Sequence, residues 1–250
     1  MNIKNSWLVR GPIAHRGLHT NEIPENSLAA FENAVLHDYA IELDVRLTDD
    51  DVPVVFHDET LKRMTGADGY VTNIKSTELD NYRLGESDQT IPTFERTLEF
   101  IGGRTPILIE IKNQGKVNKL ESKVAELLDA YGGQFAVQSF NPYSLEYFRK
   151  KTPGVLRGQL SMMLTKEEQP SLLKRYLLSR LKLNHISKPD FIAYRGEDLP
   201  NLYVTKASLP VLAWTIRSNA EMERVAPHCD NIIFEKFIPQ ITREFGIGNE

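Results

Sequence analysis

Cysteine is nearly absent from the chain. Cys229 stands alone, so no disulfide can form within the molecule and a zinc cluster built on several thiolates is excluded. No cysteine-protease signature surrounds it, and Cys229 reads as a small buried side chain. Nowhere do about 18 consecutive apolar residues occur, which excludes an ordinary membrane-spanning helix, and the opening stretch Met1 to Arg10 has no apolar run of signal-peptide length. These absences predict a soluble, cytoplasmic protein. Excess positive charge is also lacking: the formal net charge is −4, so no global field draws the chain to nucleic acid or to an anionic membrane. Repeats of solenoid period, low-complexity tracts and Gly/Ser linkers are missing too. What is there is ordinary globular material, 250 residues of which 41% are hydrophobic and 26% charged, predicted to form a single domain over residues 1–250.

Short apolar runs alternate with helical patterns from end to end, the mark of a mainly parallel α/β sheet. Nine strands are predicted: 13–15, 41–46, 52–57, 107–112, 135–140, 156–161, 191–195, 211–215 and 231–235. Only Leu47 to Asp51 separates the second and third, whereas a parallel crossover needs a dozen or more residues. Those two must form an antiparallel hairpin. Residues of about 47–91 therefore read as a small insertion after strand two, with a turn over Thr65-Gly66-Ala67-Asp68-Gly69 and a short helix near Ser76. Eight strands remain, each followed by a helix, with Asn26 or Ser27, Thr93, and Asn141-Pro142 placed to open three of them. The predicted fold class is α/β, a (β/α)8 TIM barrel.

In such a barrel the chemistry lies at the carboxyl ends of the strands. Here His15-Arg16, Glu42-Leu43-Asp44, His57-Asp58 and Glu110-Ile111-Lys112 occupy those positions. Glu42 and Asp44 are two apart on one strand and face the same side, as Glu110 and Lys112 do on the next. Three crowded carboxylates repel unless something positive holds them, and a hard divalent cation with oxygen ligands, Mg²⁺ or Ca²⁺, answers that need. His15 and His57 can each move a proton near neutral pH. His19, His37, His185 and His228 lie in loop or helical contexts and read as structural. With Arg16 and Lys112 beside the metal, the site suits an anion such as a phosphodiester.

Taken together these residues resemble the glycerophosphodiester phosphodiesterases. The matching segments are Ala14-His15-Arg16-Gly17, Pro24-Glu25-Asn26-Ser27, Ile41-Glu42-Leu43-Asp44, Pro53-Val54-Val55-Phe56-His57-Asp58, Ile109-Glu110-Ile111-Lys112, Val137-Gln138-Ser139-Phe140 and Trp214-Thr215. They run in the family's order and spacing. The resemblance implies a TIM barrel with an insertion after strand two. It also implies Glu42, Asp44 and Glu110 as metal ligands, His15 and His57 as the acid-base pair, Arg16 and Lys112 as the phosphate grip, and Gln138 and Trp214 as pocket-lining residues. The implied reaction passes through a cyclic phosphate, opened by water to give glycerol 3-phosphate and an alcohol, with His15 taken as the first base.

Two segments depart from the family's usual pattern, Phe234-Glu235-Lys236-Phe237 after the last strand and Tyr194-Arg195-Gly196 after an earlier one. Arg195 there either meets a charged head group or pairs with Glu197. Two other functions are carried alongside: a lysophospholipase D type reaction on a lipid phosphodiester, and a non-catalytic relative that binds a phosphorylated ligand, against which the full set of His15, His57 and three acids argues. Between Glu168 and Asp190 no acidic residue occurs, while Lys174, Arg175, Arg180, Lys182 and Lys188 are basic. Leu172, Leu173, Tyr176, Leu177 and Leu181 recur at helical spacing in the same stretch, which reads first as an outer barrel helix with a solvated basic face and second as a helix lying on a membrane surface or a lipid substrate. Oligomeric state has no signature in the sequence.

Overall fold

The structure, a computed structural model, describes residues 3, 6–113, 116–164 and 172–240. It comprises two compact units, Ala14–Ala136 and a second made of Met1–Ile13 with Val137–Glu250. The order of elements is that of a (β/α)8 TIM barrel with an extra strand in an insertion after barrel strand two, so the predicted fold class holds.

In chain order the first unit contains the end of β1 (Ile13–Ala14), α1 (Leu28–Leu36), β2 (Ala40–Leu47), β3 (Pro53–Val55), α2 (Lys62–Thr65), α3 (Phe94–Ile101), β4 (Ile107–Ile111) and α4 (Lys119–Asp129). Ser27 caps α1, its hydroxyl accepting from the Ala30 amide, and Thr93 caps α3 in the same way. Each cap satisfies an amide that would otherwise lack a partner. β2 pairs with β3 antiparallel, Val45 opposite Val55, as the short connection requires. With β4 it pairs in parallel. The inserted segment has its own small core of Val54, Phe56, Leu61, Val71, Ile74, Leu79, Leu84 and Ile91. This apolar knot explains how a stretch with a four-residue helix and a 3-10 helix at Ser76–Asn81 holds a fixed shape.

From β5 (Phe135–Ser139) onward the second unit runs through α5 (Pro142–Lys151), β6 (Leu156–Ser161), α6 (Leu172–Ser179), α7 (Asn184–Ser187), β7 (Phe191–Arg195), α8 (Leu202–Ala207), β8 (Val211–Ile216), α9 (Asn219–Val225) and β9 (Asn231–Phe234). β6, β7, β8 and β9 pair in parallel in that order. Asn141 caps α5 with Pro142 at its first turn, where the missing amide hydrogen costs nothing. The helix expected after β9 would fall in residues 241–250, outside the described residues. So do Glu168 and the Lys174 side chain.

The apolar stripe of α6 and the residues after it is only partly covered. Leu181 is buried, but Leu172, Leu173 and Tyr176 are exposed, and the helix does not turn all its apolar residues inward. Among the described residues no helix is long and apolar enough to cross a membrane.

Candidate active site

Strand register brings the three acids together. Across the parallel β2–β4 pair Asp44 is the partner of Glu110, and Glu42 lies two residues before Asp44 on the same face. One carboxylate oxygen from each of Glu42, Asp44 and Glu110 lies within 4.8 Å of the others, and all three side chains are buried. Burial, with Asp44 and Glu110 close by, pushes the Glu42 carboxyl well above its ordinary value, and burial raises Glu110 as well. Asp44 goes the other way. Burial alone would raise it, but Lys112, His57 and Arg16 hold it well below the usual carboxylate range. Asn26 adds to this, its Nδ2 donating to Asp44 Oδ2 at 2.9 Å.

Arg16 and Lys112 stand where the sequence reading puts them. Arg16 Nε lies 3.3 Å from Asp44 Oδ2, and Lys112 Nζ lies 3.2 Å from Asp44 Oδ1 and 2.8 Å from Glu110 Oε1. The turn after β1 holds Arg16 at φ +56 and Gly17 at φ +79, and its backbone is fixed by the Arg16 amide donating to Glu42 Oε2 at 3.1 Å and the Gly17 amide to the Glu42 carbonyl at 3.2 Å. A Cβ at Gly17 would come within 2.9 Å of Ala30, so the turn demands glycine there. A left-handed arginine costs about 1 kcal/mol, and such strain is usual where geometry serves a site. Two cations against three buried carboxylates leave the cluster anionic. An all-oxygen donor set short of positive charge fits a hard divalent cation.

His57 follows β3 and is held from two sides. Arg46 Nε donates to its carbonyl at 2.8 Å, and its ring Nδ1 is 2.7 Å from Asp58 Oδ1. Burial lowers its pKa. Beyond Asp58 a chain of charged contacts continues: Arg63 donates to Asp58 Oδ2 at 2.6 Å and to Glu25 Oε1 at 2.7 Å, and Glu25 Oε1 also accepts from Arg16 Nη1 at 2.7 Å. Burial works against ionisation of Glu25, yet Arg63 and Arg16 bring its carboxyl down to about 2. Arg63 and His57 bring Asp58 down to about 2 in the same way, against burial. One arginine thus links the carboxylate that orients His57 to the carboxylate that orients Arg16. His15 lies just after β1, and a ring nitrogen of His19 comes within 4.8 Å of one of its own. His19 was expected to be structural.

Gln138 and Trp214 belong to the second unit. Gln138 is buried near the end of β5. Trp214, on β8, meets Phe140 edge-on at 5.7 Å between ring centres, and its indole N–H is buried with no acceptor among the described residues. A buried donor in that condition calls for a partner. Arg195 pairs with Asp198 at 2.8 Å, and not with Glu197, because Asp198 is the acid that the 3-10 turn after β7 brings onto its guanidinium. Glu235, in the second departing segment, pairs with Arg217 at 2.8 Å.

Sequence reasoning missed the roles of Glu25, Asn26, Asp58 and Arg63. Glu25, Asn26 and Asp58 sat inside segments already singled out. Arg63 carried no signal of its own, since its partner Glu25 is 38 residues away.

The chain is similar to known proteins over most of its length. The sequence profile described as "Glycerophosphoryl diester phosphodiesterase family" matches residues 15–233. YhdW of Bacillus subtilis (strain 168) is 32% identical over 201 residues, which are 70% of this chain and 81% of that one. A glycerophosphodiester phosphodiesterase of Caldanaerobacter subterraneus subsp. tengcongensis is 36% identical over 159 residues, 59% of this chain and just under two thirds, 65%, of that one. Among solved structures, an Oleispira antarctica phosphodiesterase in complex with the product sn-glycerol-3-phosphate superposes with a TM-score of 0.77 at 24% identity, covering 91% of this chain and 93% of that one.

Proposed function

We propose, for a chain that belongs to the glycerophosphoryl diester phosphodiesterase family and is a phosphoric diester hydrolase, that it converts glycerophosphodiesters to sn-glycerol 3-phosphate and an alcohol, with one divalent cation, Mg²⁺ or Ca²⁺. The observation that carries this reading is the meeting of Glu42, Asp44 and Glu110 within 4.8 Å, with Lys112 and Arg16 against them. Held by those three acids, the cation would supply Lewis-acid polarisation and neutralise charge on the phosphoryl group. One dication and two side-chain cations against three carboxylates leave a single positive charge, which a phosphodiester balances. Arg16 and Lys112 grip the phosphoryl oxygens, and Gln138 and Trp214 are assigned to contacts with the substrate.

His15 takes the proton from a glycerol hydroxyl as its oxygen attacks phosphorus, and His57 gives a proton to the departing alcohol oxygen, so that one P–O bond forms while another breaks. Asp58, on His57 Nδ1, fixes the ring so that Nε2 carries the transferred proton, and its charge favours the imidazolium. Burial disfavours the charged ring, and arrival of the anionic diester shifts it toward protonation. Water then opens the cyclic phosphate with the two histidines exchanging roles. The reaction fits a cytoplasmic protein acting on small diesters.

Release of glycerol 3-phosphate from glycerophosphocholine by the purified protein, with Mg²⁺, with Ca²⁺ and with EDTA, tests the reading. Metal-dependent release lost in Glu42→Ala and His15→Ala supports it; no release with any metal sinks it. A second reading, the same cyclising reaction on a lysolipid, draws on the exposed leucines of α6 and would appear as activity only in the presence of micelles.

A further inference from the structure

Among the described residues nine large apolar side chains are exposed, and five of them fall between Met163 and Leu202: Met163 at 40%, Leu172 at 75%, Leu173 at 66%, Tyr176 at 46% and Leu202 at 61%. Scattered single leucines on a surface need no explanation, whereas a cluster does. These residues belong to one neighbourhood within the second unit. Arg180 lies 4.4 Å from the ring centre of Tyr176 and 5.2 Å from that of Tyr203, which ties the end of α6 to α8, where Leu202 is the first residue. The Leu164 amide donates to Ser179 Oγ at 2.9 Å, which brings the strand end carrying Met163 to the last turn of α6. At about 100° per residue, Leu172, Leu173 and Tyr176 share one third of the helix circumference.

The charge of α6 and the stretch that follows it is one-sided, whereas the turn after β7, whose Asp198 accepts from the Met163 amide at 2.8 Å and pairs with Arg195, also carries the exposed Glu197. From residue 169 to 189 the sequence contains no aspartate or glutamate, in a chain whose formal net charge is −4, while Arg175, Arg180, Lys182 and Lys188 contribute only positive charge. Arg180, Lys182 and Lys188 are exposed. Exposed leucines and an aromatic ring, flanked by unopposed basic side chains, have the composition of a helix that lies in a bilayer interface, apolar residues in the acyl boundary and cations among anionic head groups. A protein partner would have to match an apolar centre and a mainly basic rim at once, and α6 has no carboxylate of its own to pair with the cations of a second copy, which disfavours self-association.

We propose that the α6 surface, with Leu172, Leu173, Tyr176, Leu202 and Met163 at its apolar centre and Arg180 at its edge, docks the protein on an anionic phospholipid bilayer. The docking is peripheral and reversible, since two leucines and a few cations give an attachment far weaker than a spanning helix. It does not depend on the proposed reaction and is measured by binding alone.

Flotation of the full chain with vesicles of phosphatidylcholine, or of phosphatidylcholine mixed with phosphatidylglycerol, tests it. Retention is expected on the mixed vesicles only, and it should weaken as salt is raised. Leu172→Ser and Leu173→Ser are expected to lower the partition constant about tenfold each, and Arg180→Gln about fivefold. Leu172 and Leu173 are exposed enough that thermal unfolding should not move in their variants. Equal retention on both vesicle types, no retention on the mixed vesicles, or retention unchanged in all three variants overturns the proposal. So does concentration-dependent self-association of the unaltered chain that disappears in Leu172→Ser with Leu173→Ser, because a second copy would then be the occupant of this face.

Discussion

The two compact units handle buried polarity in opposite ways. In Ala14–Ala136 the buried polar groups include a mutually dependent ionisable cluster: Glu42, Asp44 and Glu110, with Arg16, Lys112 and Glu25 in contact with them or with each other. In the second unit the buried polar groups on the strands are mostly neutral amides and hydroxyls, Gln138, Ser139, Gln159, Ser161 and Asn231, and the one buried arginine among them, Arg157, pairs with Asp190 at 3.0 Å. Asn231, for instance, donates to the carbonyls of Leu8 and Gly11 at 2.8 and 2.7 Å. A cluster of buried charge is costly unless every member is compensated. Such a cluster at the ends of adjacent strands is therefore a sign of chemistry, and the unit without one is free to change its loops. That is where both departures from the family's pattern occur, at Tyr194-Arg195-Gly196 and at Phe234-Glu235-Lys236-Phe237.

If the first unit carries the chemistry, substitutions there should fall on turnover. The largest effect is expected from Glu42→Gln or from EDTA, which should lower kcat/KM by several kcal/mol, on the order of 10³-fold or more. His57→Ala should follow, lowering kcat by about 10²–10⁴-fold. Steady-state assays with glycerophosphocholine check both. Activity within tenfold of the unaltered protein in either variant would undo the contrast between the units.

Arg63→Ala should cost less, about tenfold in kcat, because it removes no group that touches substrate and acts by loosening His57 through Asp58 and Arg16 through Glu25. Arg63→Lys should recover part of it, since one cation can pair with Asp58 or Glu25 but cannot span both as the guanidinium does. The same network predicts a stability change at low pH. Glu25 lies at about 2 when folded against an ordinary 4.5, so its contribution is present above the unfolded value and is lost as pH falls from about 4.5 to about 2. Its full size is roughly 3 kcal/mol. Thermal melts between pH 5 and pH 2 should therefore fall steeply in the unaltered chain and more gently in Glu25→Gln.

The smallest effect is expected in the second unit. Trp214→Phe deletes the unpartnered indole N–H and keeps the ring against Phe140. It should raise KM about fivefold with kcat nearly unchanged. A loss in kcat instead would mean that the division of labour between the units is wrong.

The fold was legible from the sequence nearly strand by strand, because apolar runs of strand length and helix caps are local signals: Ser27, Thr93 and Asn141 do what their positions suggest. The acids were legible for a similar reason, since a Glu-x-Asp pair on one strand faces one side whatever surrounds it. Arg63 was not, and neither was the proximity of His19 to His15. Both depend on chain segments brought together from a distance or by a turn whose path the sequence does not spell out. The exposure of Leu172 and Leu173 on α6 was not legible either, for a related reason. Periodicity shows that a helix has an apolar face, but not whether anything covers it.

By itself, then, the sequence determined the eight-strand barrel order, the hairpin insertion and which residue types stand at the strand ends, all of which rest on backbone periodicity and on the reach of short connections. Only the tertiary structure decided the register that sets Asp44 beside Glu110, the Arg16–Glu25–Arg63–Asp58–His57 chain of contacts, the pairing of Arg195 with Asp198 and the exposure of Leu172 and Leu173. Register and charge pairing are settled by which side chains can be buried and satisfied together, and that is a property of the packed chain.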